Sequence, residues 1–227
     1  MFASLFKKFD NIIVLDVETT GIDPKRDEII ELAALCIDAK SVETGESVAD
    51  EFDLLVRLSE GRRLPEVITR LTGITEKQLS DDGVSKEDAA RRFAGMLSRP
   101  NPLVVAYNAQ FDLCFLYYFL KRLGHAALLK NIKMFDALTV YKDRRPYPHK
   151  LGDAVAAYSL KTQNTHRAID DARATLELMC AMETELDDLD RYINLFGYNP
   201  KHGVSGPKIS SINYLRQEYS SRKKLYE

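Results

Sequence analysis

The chain has 227 residues, of which 45% are hydrophobic and 29% charged, and its formal net charge is −2. This length suffices for one well-buried domain with a small appendage, and the composition is that of an ordinary soluble protein. A net charge this close to zero does not indicate a protein that binds nucleic acid through an overall positive charge. No apolar run approaches the ~20 residues of a membrane helix, and Lys7 and Lys8 interrupt the N-terminal apolar stretch too early for a signal peptide.

The cysteines indicate the cellular compartment of the protein, and the distribution of charge indicates the kind of site it carries. Cys36, Cys114 and Cys180 form an odd, widely spaced set in apolar segments, which indicates buried thiols in a reducing compartment and neither a disulfide frame nor a zinc site. We therefore expect a cytoplasmic protein. From Gly197 onward six Lys or Arg face two Glu, a net +4, which leaves −6 on the rest of the chain. An acidic body of this kind suits a site whose carboxylates are neutralised by bound cations.

The first half of the chain predicts a short helix and three strands. Residues 2–9 place apolar side chains at helical spacing, and residues 11–17 are a near-continuous apolar run, typical of a central strand covered on both faces. Residues 28–38 and 47–58 are predicted as two more strands, linked by a turn around Gly45. Together with the first strand they would form an antiparallel meander.

The second half predicts helices that alternate with two further strands. Pro65 suits the first turn of a helix to about Leu71, and Thr75 and Ser85 are helix start signals. Asp136 is a good cap for the helix that follows it. The remaining elements are helices over residues 86–98, 111–123, 151–160 and 168–186, and strands over residues 103–106 and 132–135.

This order of elements predicts an α/β layer fold with a mixed sheet whose first strand is central. We assign a main domain to residues 1–186 and a helix or hairpin appendage with a basic tail to residues 187–227. Gly and Pro residues punctuate the appendage, which predicts turns and a hairpin. Residues 195–215 are expected to cover the body, and the final residues to be disordered or to form a helical extension.

Asp16 and Glu18 end the most apolar strand. Side chains alternate across a strand, so both carboxylates lie on the same face, where two like charges are unfavourable unless a cation lies between them. The end of a central strand is also where α/β sheets place their ligands. A pair of solvated acids in a turn leading to Gly21 is an equally good interpretation of this pair alone.

Two further sets of residues are unremarkable when each is taken singly. Asp112 opens a helix that is otherwise almost wholly apolar, so its carboxylate is expected near the interior, although the helix dipole alone would favour an acid there by ~0.3–1 kcal/mol. His166 precedes a helix whose first turn carries Asp170 and Asp171. A lone histidine is usually structural, and two acids at a helix start usually complement its dipole.

Three motifs nevertheless occur in order, on the predicted strand, helix and helix. They are Asp-x-Glu-Thr-Thr-Gly from Asp16, Asn108-x-x-Phe-Asp112, and His166-x-Ala-x-x-Asp171. Over residues 11–182 the chain resembles the DEDD exonuclease superfamily, in its histidine-bearing subgroup. Matches at residues 27–34 and 71–75 are most similar to the proofreading, epsilon-type exonucleases of bacterial DNA polymerase III. The resemblance implies a ribonuclease H-like three-layer fold, with a mixed five-stranded sheet flanked by helices and followed by the appendage.

The resemblance also implies which residues bind metal and which residue acts as the general base. Two divalent cations, Mg²⁺ or Mn²⁺, would be held by four carboxylates, those of Asp16, Glu18, Asp112 and Asp171. Asp16 should bridge both metals, Glu18 and Asp171 should lie nearer the attacking water, and Asp112 should support the second metal through water. His166 would be the general base, and Asp170 receives no catalytic role.

The substrate would be held by the residues that follow the first carboxylates and by the second and third motifs. The substrate-binding set is Thr19, Thr20, Gly21, Ile22, Asn108 and His166. Of these, Ile22 could press on the last base, while Asn108 is also expected to fix its own loop. Glu31 and the turn over residues 71–75 are interpreted as a strand end and a helix cap rather than as direct chemistry. Tyr107 departs from the histidine often found there in the family, which puts contacts near the substrate in question.

The predicted function is a metal-dependent 3′→5′ exonuclease that acts on the 3′ end of single-stranded DNA and releases nucleoside 5′-monophosphates. An exoribonuclease with the same site is the first alternative, since the contacts that distinguish a 2′-hydroxyl cannot be identified from sequence. A non-catalytic nucleic-acid or polymerase-binding module would be expected to have lost a carboxylate or the histidine, and all five are present. Proofreading would require a polymerase subunit as partner, and a free-standing repair nuclease is equally compatible. No membrane association is expected.

Overall fold

A mixed five-stranded sheet forms the centre of the computed structural model, which describes residues 1–44, 48–130, 132–218 and 224–227. The strands are β1 (Asn11–Thr19), β2 (Ile29–Asp38), β3 (Asp50–Leu55), β4 (Pro102–Ala106) and β5 (Lys133–Asp136). Their order is β3-β2-β1-β4-β5; β1 to β3 pair antiparallel, and β4 pairs parallel with both β1 and β5. The predicted mixed sheet with a central first strand is confirmed.

Helices cover both faces of this sheet. The helices in chain order are α1 (Ala3–Phe6), α2 (Ala39–Thr44), α3 (Glu66–Thr72), α4 (Glu76–Asp81), α5 (Lys86–Leu97), α6 (Ala109–Arg122), α7 (Ala137–Arg144), α8 (Leu151–Ala157) and α9 (Ala168–Glu185). Alternate β1 side chains enter two cores: Ile13 and Leu15 pack with α5 and α6, whereas Ile12 and Val14 pack with α7, α8 and α9. The three-layer arrangement is therefore confirmed. Within the described ranges no helix combines the length and hydropathy needed to cross a bilayer.

Local signals in the sequence fix several helix starts. Thr75 and Gln78 form a capping box at α4, the Ser85 side chain accepts from Asp88 N–H at α5, and Asp136 accepts from Leu138 N–H at α7. Pro65 lies at the N-cap of α3, one position before the predicted first turn. The helix α6 begins two residues earlier than predicted, and α8 ends three residues earlier.

The connection between β2 and β3 differs from the predicted turn. A short helix, α2, follows β2, because Asp38 and Ser41 hydrogen-bond locally: the Asp38 carboxylate accepts from Ser41 N–H at 2.7 Å, and the Ser41 hydroxyl donates to Asp38 O at 2.9 Å. Gly45, on which the turn was predicted, lies outside the described residues together with positions 46 and 47. The strand β3 is also shorter than predicted, at Asp50–Leu55.

The C-terminal part covers the body as predicted, but its pairing was predicted wrongly. A 3-10 helix (Leu189–Tyr192) leads into β6 (Leu195–Tyr198), which pairs with β7 (Asn213–Arg216) in parallel, so the two strands are not a hairpin. The long connection over residues 199–212 returns the chain to the starting end of β6, which a tight turn cannot do. Leu195, Phe196 and Ile212 are buried in the two cores.

The end of the chain corrects a second expectation. Residues 219–223 lie outside the described part, but residues 224–227 are neither helical nor detached. Leu225 N–H donates to the Asp143 carboxylate at 2.7 Å, and the Tyr226 hydroxyl donates to the Asp188 carboxylate at 2.6 Å. The Tyr226 ring packs edge-on against Tyr192 with centroids 5.1 Å apart. Acidic acceptors on the body thus hold the last residues in place.

Candidate active site

The end of β1 brings two carboxylates together with the start of α6. Asp16 and Glu18 alternate on one face of β1, as predicted, and both are half-buried. Asp112, in the first turn of α6, is only 2% exposed, and its Oδ1 accepts from Val17 N–H at 3.2 Å. The strand amide between Asp16 and Glu18 is therefore bonded directly to the third predicted carboxylate, which confirms that Asp112 is held in the interior.

The start of α9 supplies the other two predicted groups. Asp171 is 5% exposed, and its carboxylate accepts from the Asn164 side-chain amide at 2.5 Å and from Thr165 N–H at 3.1 Å. His166 is exposed and has a φ of 57°, in the left-handed region that few non-glycine residues adopt. Potential ligand atoms of Glu18, His166 and Asp171 all lie within 4.8 Å of one another. The structure thus joins the first and third motifs in one site.

The four carboxylates of this site are close enough to repel one another, and burial and this repulsion raise their pKa values. Burial raises the pKa of Asp16 well above its usual range, and the carboxylates of Asp112 and Asp171 raise it further. Burial, followed by the charges of Asp171 and Glu31, raises the pKa of Glu18 to about 8. Burial also raises the pKa of Asp112 and Asp171, although hydrogen bonds to each carboxylate oppose the shift. Across the described ranges, none of the four carboxylates has a Lys or Arg side chain in salt-bridge contact.

These carboxylates have the chemistry of a metal site. Hard oxygen donors that share a desolvated site favour a hard divalent cation, which would remove the repulsion that raises their pKa values. The residues present therefore fit the metal dependence implied by the resemblance, and the cluster of Glu18, His166 and Asp171 is close enough to share one ion.

The structure also assigns a role to Glu31, which sequence analysis had interpreted as a plain strand end. Its side chain is fully buried on β2, opposite Glu18 in the β1–β2 register. It accepts two hydrogen bonds from the Arg167 guanidinium and one from Ala168 N–H at 2.8 Å. Glu31 therefore caps α9 from another element. To predict this capping role from sequence, one would need to know both the β1–β2 register and the position of α9 against the sheet.

The loop after β1 presents one exposed apolar side chain. The Thr19 hydroxyl donates to Gly21 O at 2.6 Å, and the Thr20 hydroxyl donates to the Asp27 carboxylate at 3.3 Å, so both hydroxyls shape the loop. A Cβ at Gly21 would lie 2.5 Å from the Asp27 carboxylate, which explains glycine at this position. Ile22, at the turn, is 87% exposed. The Ile22 side chain is therefore open to solvent, and its contact with a base stays a prediction.

A cleft of about 720 Å³ opens onto the cluster. Asp16, Asn108, His166 and Asp171 all line it, so the structure brings these predicted residues to one cavity. Asn108 is exposed, with a φ of 64°, and its N–H donates to Asp136 Oδ1 at 2.9 Å, which fixes its loop.

Two further residues line this cleft: Tyr107, whose effect the sequence left in question, and Leu71, from the turn interpreted as a helix cap. The Tyr107 hydroxyl donates to His149 O at 2.8 Å and so ties β4 to the segment before α8. Leu71 is 48% exposed, so the α3 end forms part of the cleft wall as well as a helix terminus.

Comparison with known proteins agrees with this geometry. The RNase_T family model, described as exonuclease, matches residues 13–179. DNA polymerase III PolC-type of Thermotoga petrophila is 34% identical over 173 residues, which are 75% of this chain and 12% of that protein. The PolC-type polymerase of Bacillus subtilis (strain 168) is 34% identical over 177 residues, 76% of this chain and 11% of that protein. The chain thus spans only about a tenth of the length of these relatives.

Solved structures share the fold. The zinc-bound complex of Escherichia coli ExoI with single-stranded DNA has a TM-score of 0.71 at 20% identity, covering 81% of this chain and 42% of that one. Exonuclease I of Methylocaldum szegediense has a TM-score of 0.68 at 18% identity, covering 79% and 41%. The ribonuclease H-like fold expected from the sequence is confirmed by these likenesses. Because the family match covers most of the chain and includes the end of β1 and the starts of α6 and α9, this chain belongs to the RNase_T exonuclease family, as a DEDD-type exonuclease similar to the polymerase III proofreading type.

Proposed function

We propose that this chain hydrolyses phosphodiester bonds at the 3′ end of single-stranded DNA, in the 3′→5′ direction, and releases nucleoside 5′-monophosphates. The observation that carries the proposal is the cluster at the end of β1. Four buried or half-buried carboxylates lack a paired Lys or Arg among the described residues and lie beside the exposed imidazole of His166. Such a cluster is unfavourable without bound cations and has the donors that phosphodiester hydrolysis requires.

The carboxylates would hold two divalent cations, Mg²⁺ or Mn²⁺. Asp16 lies centrally, since its carboxylate interacts with those of Glu18, Asp112 and Asp171. When bound, the metals would stabilise negative charge on the phosphate and lower the pKa of a bound water. Asp112, fixed by Val17 N–H, and Asp171, fixed by Asn164 and Thr165, would keep the donor set in position before substrate arrives.

His166 would act as the general base. Its imidazole is exposed, and its ligand atom lies within 4.8 Å of those of Glu18 and Asp171, so a water held by these carboxylates is within its reach. Histidine exchanges protons near neutral pH, which suits this role. The backbone conformation of His166 turns the chain just before α9 and places the ring at the cleft.

The substrate assignment draws on the loop after β1 and on the relatives. Ile22, 87% exposed, would press on the terminal base, and Thr19, Thr20 and Gly21 shape the loop that carries it. Asn108, which lines the cleft, would contact the substrate there. The PolC-type relatives favour DNA over RNA as the substrate and a DNA polymerase as the partner. Three free cysteines fit the reducing cytoplasm as the site of action.

The decisive experiment follows a 5′-labelled single-stranded DNA oligonucleotide and its RNA counterpart with Mg²⁺, Mn²⁺ or EDTA. We expect a ladder that shortens from the 3′ end, requires metal and disappears in Asp171→Asn. The matched control is Asp170→Asn, since Asp170 is the neighbouring acid, accepts from the Thr165 hydroxyl at 2.7 Å and pairs with Arg173 at 3.9 Å. Faster degradation of RNA would establish the exoribonuclease instead. Binding without cleavage of either substrate would establish a binding module.

A further inference from the structure

A second recess, of about 200 Å³, opens beside the catalytic cleft. Asn108 and Leu138 line both cavities, so the two are adjacent. The far wall of the recess is formed by residues 195–217, here called the C-terminal segment, through Tyr198, Asn199 and His202 among others. Ligand pockets usually enclose ~300–1,000 Å³, so this recess is smaller than a typical separate ligand pocket.

The C-terminal segment is bonded firmly to the helix that carries Asp112. Gln110, 8% exposed, donates from its amide nitrogen to Ser205 O at 2.8 Å and to Pro207 O at 2.9 Å. Its amide oxygen accepts from the Tyr214 hydroxyl at 2.6 Å. Gln110 lies two residues before Asp112 in the first turn of α6. The wall of the recess is therefore held in a defined position relative to the carboxylate cluster.

A second set of bonds fixes the same segment to α7. Gly197 N–H donates to the Thr139 hydroxyl at 2.9 Å, and the Gln217 side chain donates to Thr139 O and to the Asp143 carboxylate, both at 2.8 Å. Both ends of the segment are thus anchored on the body. A surface that is preorganised in this way loses little conformational entropy when a ligand binds.

The lining of the recess has the chemistry that recognises a nucleotide. Lys142 offers a cation for a phosphate, Tyr198 offers a ring on which a base can stack, and Asn199 and His202 offer polar contacts. The acid that lines it, Asp136, is buried and directs its carboxylate to Asn108 N–H, Ala109 N–H and the Thr139 hydroxyl. That carboxylate is therefore directed to protein donors within the loop and helix, and its charge also acts on Lys142.

Under the proposed function the terminal nucleotide is assigned to the loop after β1, which leaves the remaining strand for this recess. An enzyme that removes the 3′-terminal nucleotide has one nucleotide on one side of the scissile bond and the whole remaining strand on the other. We propose that the recess is a subsite for the strand on the 5′ side of the scissile bond, and that the C-terminal segment is the wall against which this strand lies. This inference rests on the proposed 3′→5′ activity.

The test measures how strongly activity depends on substrate length. Thymidine oligonucleotides of two to twelve nucleotides are compared with the wild-type protein and with Lys142→Gln/His202→Ala. For the wild type, KM should fall by at least tenfold with length. The double variant should raise the KM for the twelve-nucleotide strand about tenfold with kcat changed less than twofold, and should lose most of the length dependence. The slope of log KM against log salt should fall by about 1.

The matched control is Lys7→Gln/His125→Ala, which removes the same residue types from exposed positions outside the two cavities. It should leave KM, kcat and the salt slope unchanged. A double variant with wild-type length dependence would overturn the subsite, as would an equal rise in KM on two- and twelve-nucleotide strands.

A binding measurement separates failure of the subsite from failure of the proposed function. Fluorescence anisotropy of the labelled twelve-nucleotide strand is recorded with Asp171→Asn, alone and combined with Lys142→Gln/His202→Ala. The added changes should weaken binding about tenfold even if the wild type cleaves nothing. Equal affinity in the two proteins would refute the subsite, whatever the activity assay shows.

Discussion

Arg167 and Glu31, which are 136 positions apart in the chain, form the ion pair that fixes the start of α9. The guanidinium donates from Nε at 2.8 Å and from Nη2 at 2.5 Å to Glu31 Oε1. The other carboxylate oxygen accepts from Ala168 N–H at 2.8 Å. Glu31 pairs with Glu18 across β1 and β2, and Arg167 follows His166 directly. The pair thus ties the strand that carries Glu18 to the helix start that carries His166 and Asp171.

Removal of the guanidinium should harm both stability and turnover. Arg167→Ala leaves the fully buried Glu31 carboxylate without its cation, and breaking a buried pair costs ~3–5 kcal/mol. Because the Arg167 side chain is 37% exposed, we expect the lower end, about 3 kcal/mol, in urea unfolding without metal. The kcat should fall at least tenfold with a smaller change in KM, since the pair positions His166 without touching substrate.

The control for this prediction lies on the same helix. Arg173 pairs with Glu51 at 3.1 Å, but both side chains are nearly half exposed, so Arg173→Ala should cost less than ~1 kcal/mol and leave kcat unchanged. Equal losses in the two variants would show that Arg167 contributes no more than a surface charge. A normal kcat in a destabilised Arg167→Ala protein would remove its positioning role.

A second prediction concerns the repulsion among the carboxylates. Asp16→Ala should abolish cleavage, yet in metal-free buffer at neutral pH it should raise the melting temperature or leave it unchanged, because Asp16 interacts unfavourably with Asp112, Asp171 and Glu18. Scanning calorimetry with EDTA measures the stability, and the oligonucleotide assay measures the cleavage. Asp10→Ala, an exposed acid just before β1, should retain activity. Cleavage retained by purified Asp16→Ala would exclude this residue as a metal ligand.

The raised pKa values also predict the pH dependence of stability. The Glu18 carboxyl has an ordinary pKa of 4.5 and a pKa of about 8 in the folded protein, because of burial and then the charge of Asp171. Between these values the folded state binds more protons than the unfolded state, so stability without metal should fall as pH rises from about 4.5 to about 8.

Metal should reverse this dependence, since it binds the ionised carboxylates. Melting temperatures with EDTA should decline over that window, and the gain on adding Mg²⁺ should be larger at pH 8 than at pH 5.5. The control is Glu18→Gln, which should flatten the metal-free curve. A metal-free melting temperature that climbs between pH 5 and 8 would contradict the electrostatic description of the site.

The features predicted well from sequence are those set by neighbours in the chain. Alternation along β1 places Asp16 and Glu18 on one face whatever the rest of the fold does, and the Thr75 and Ser85 caps depend on residues three positions away. The resemblance of the three motifs to the DEDD exonucleases then predicted that Asp112, His166 and Asp171 belong to one site, which no local sequence pattern specifies.

The features that were missed depend on contacts between distant segments. The role of Glu31 follows only when the β1–β2 register and the docking of α9 are both known. The parallel pairing of β6 with β7 depends on how the connection over residues 199–212 packs on Gln110, and Gly and Pro residues alone indicated only turns. The last residues of the chain are held by hydrogen bonds to the carboxylates of Asp143 and Asp188, which lie far from them in sequence.

The last prediction tests the proton acceptor. His166→Ala should lower kcat by about 10²–10⁴-fold, the usual contribution of a general base, and should change the pH–rate profile of kcat. His166→Asn keeps a polar side chain of similar reach but cannot accept a proton, so it should be equally impaired. The exposed His125, which follows α6, provides the control, and His125→Ala should keep the wild-type pH–rate profile. Because the carboxylates that hold metal are untouched, Mg²⁺ should still raise the melting temperature of His166→Ala. If the pH–rate profile of His166→Ala has the same shape as that of the wild type, whatever the size of kcat, then the attacking water loses its proton to another group.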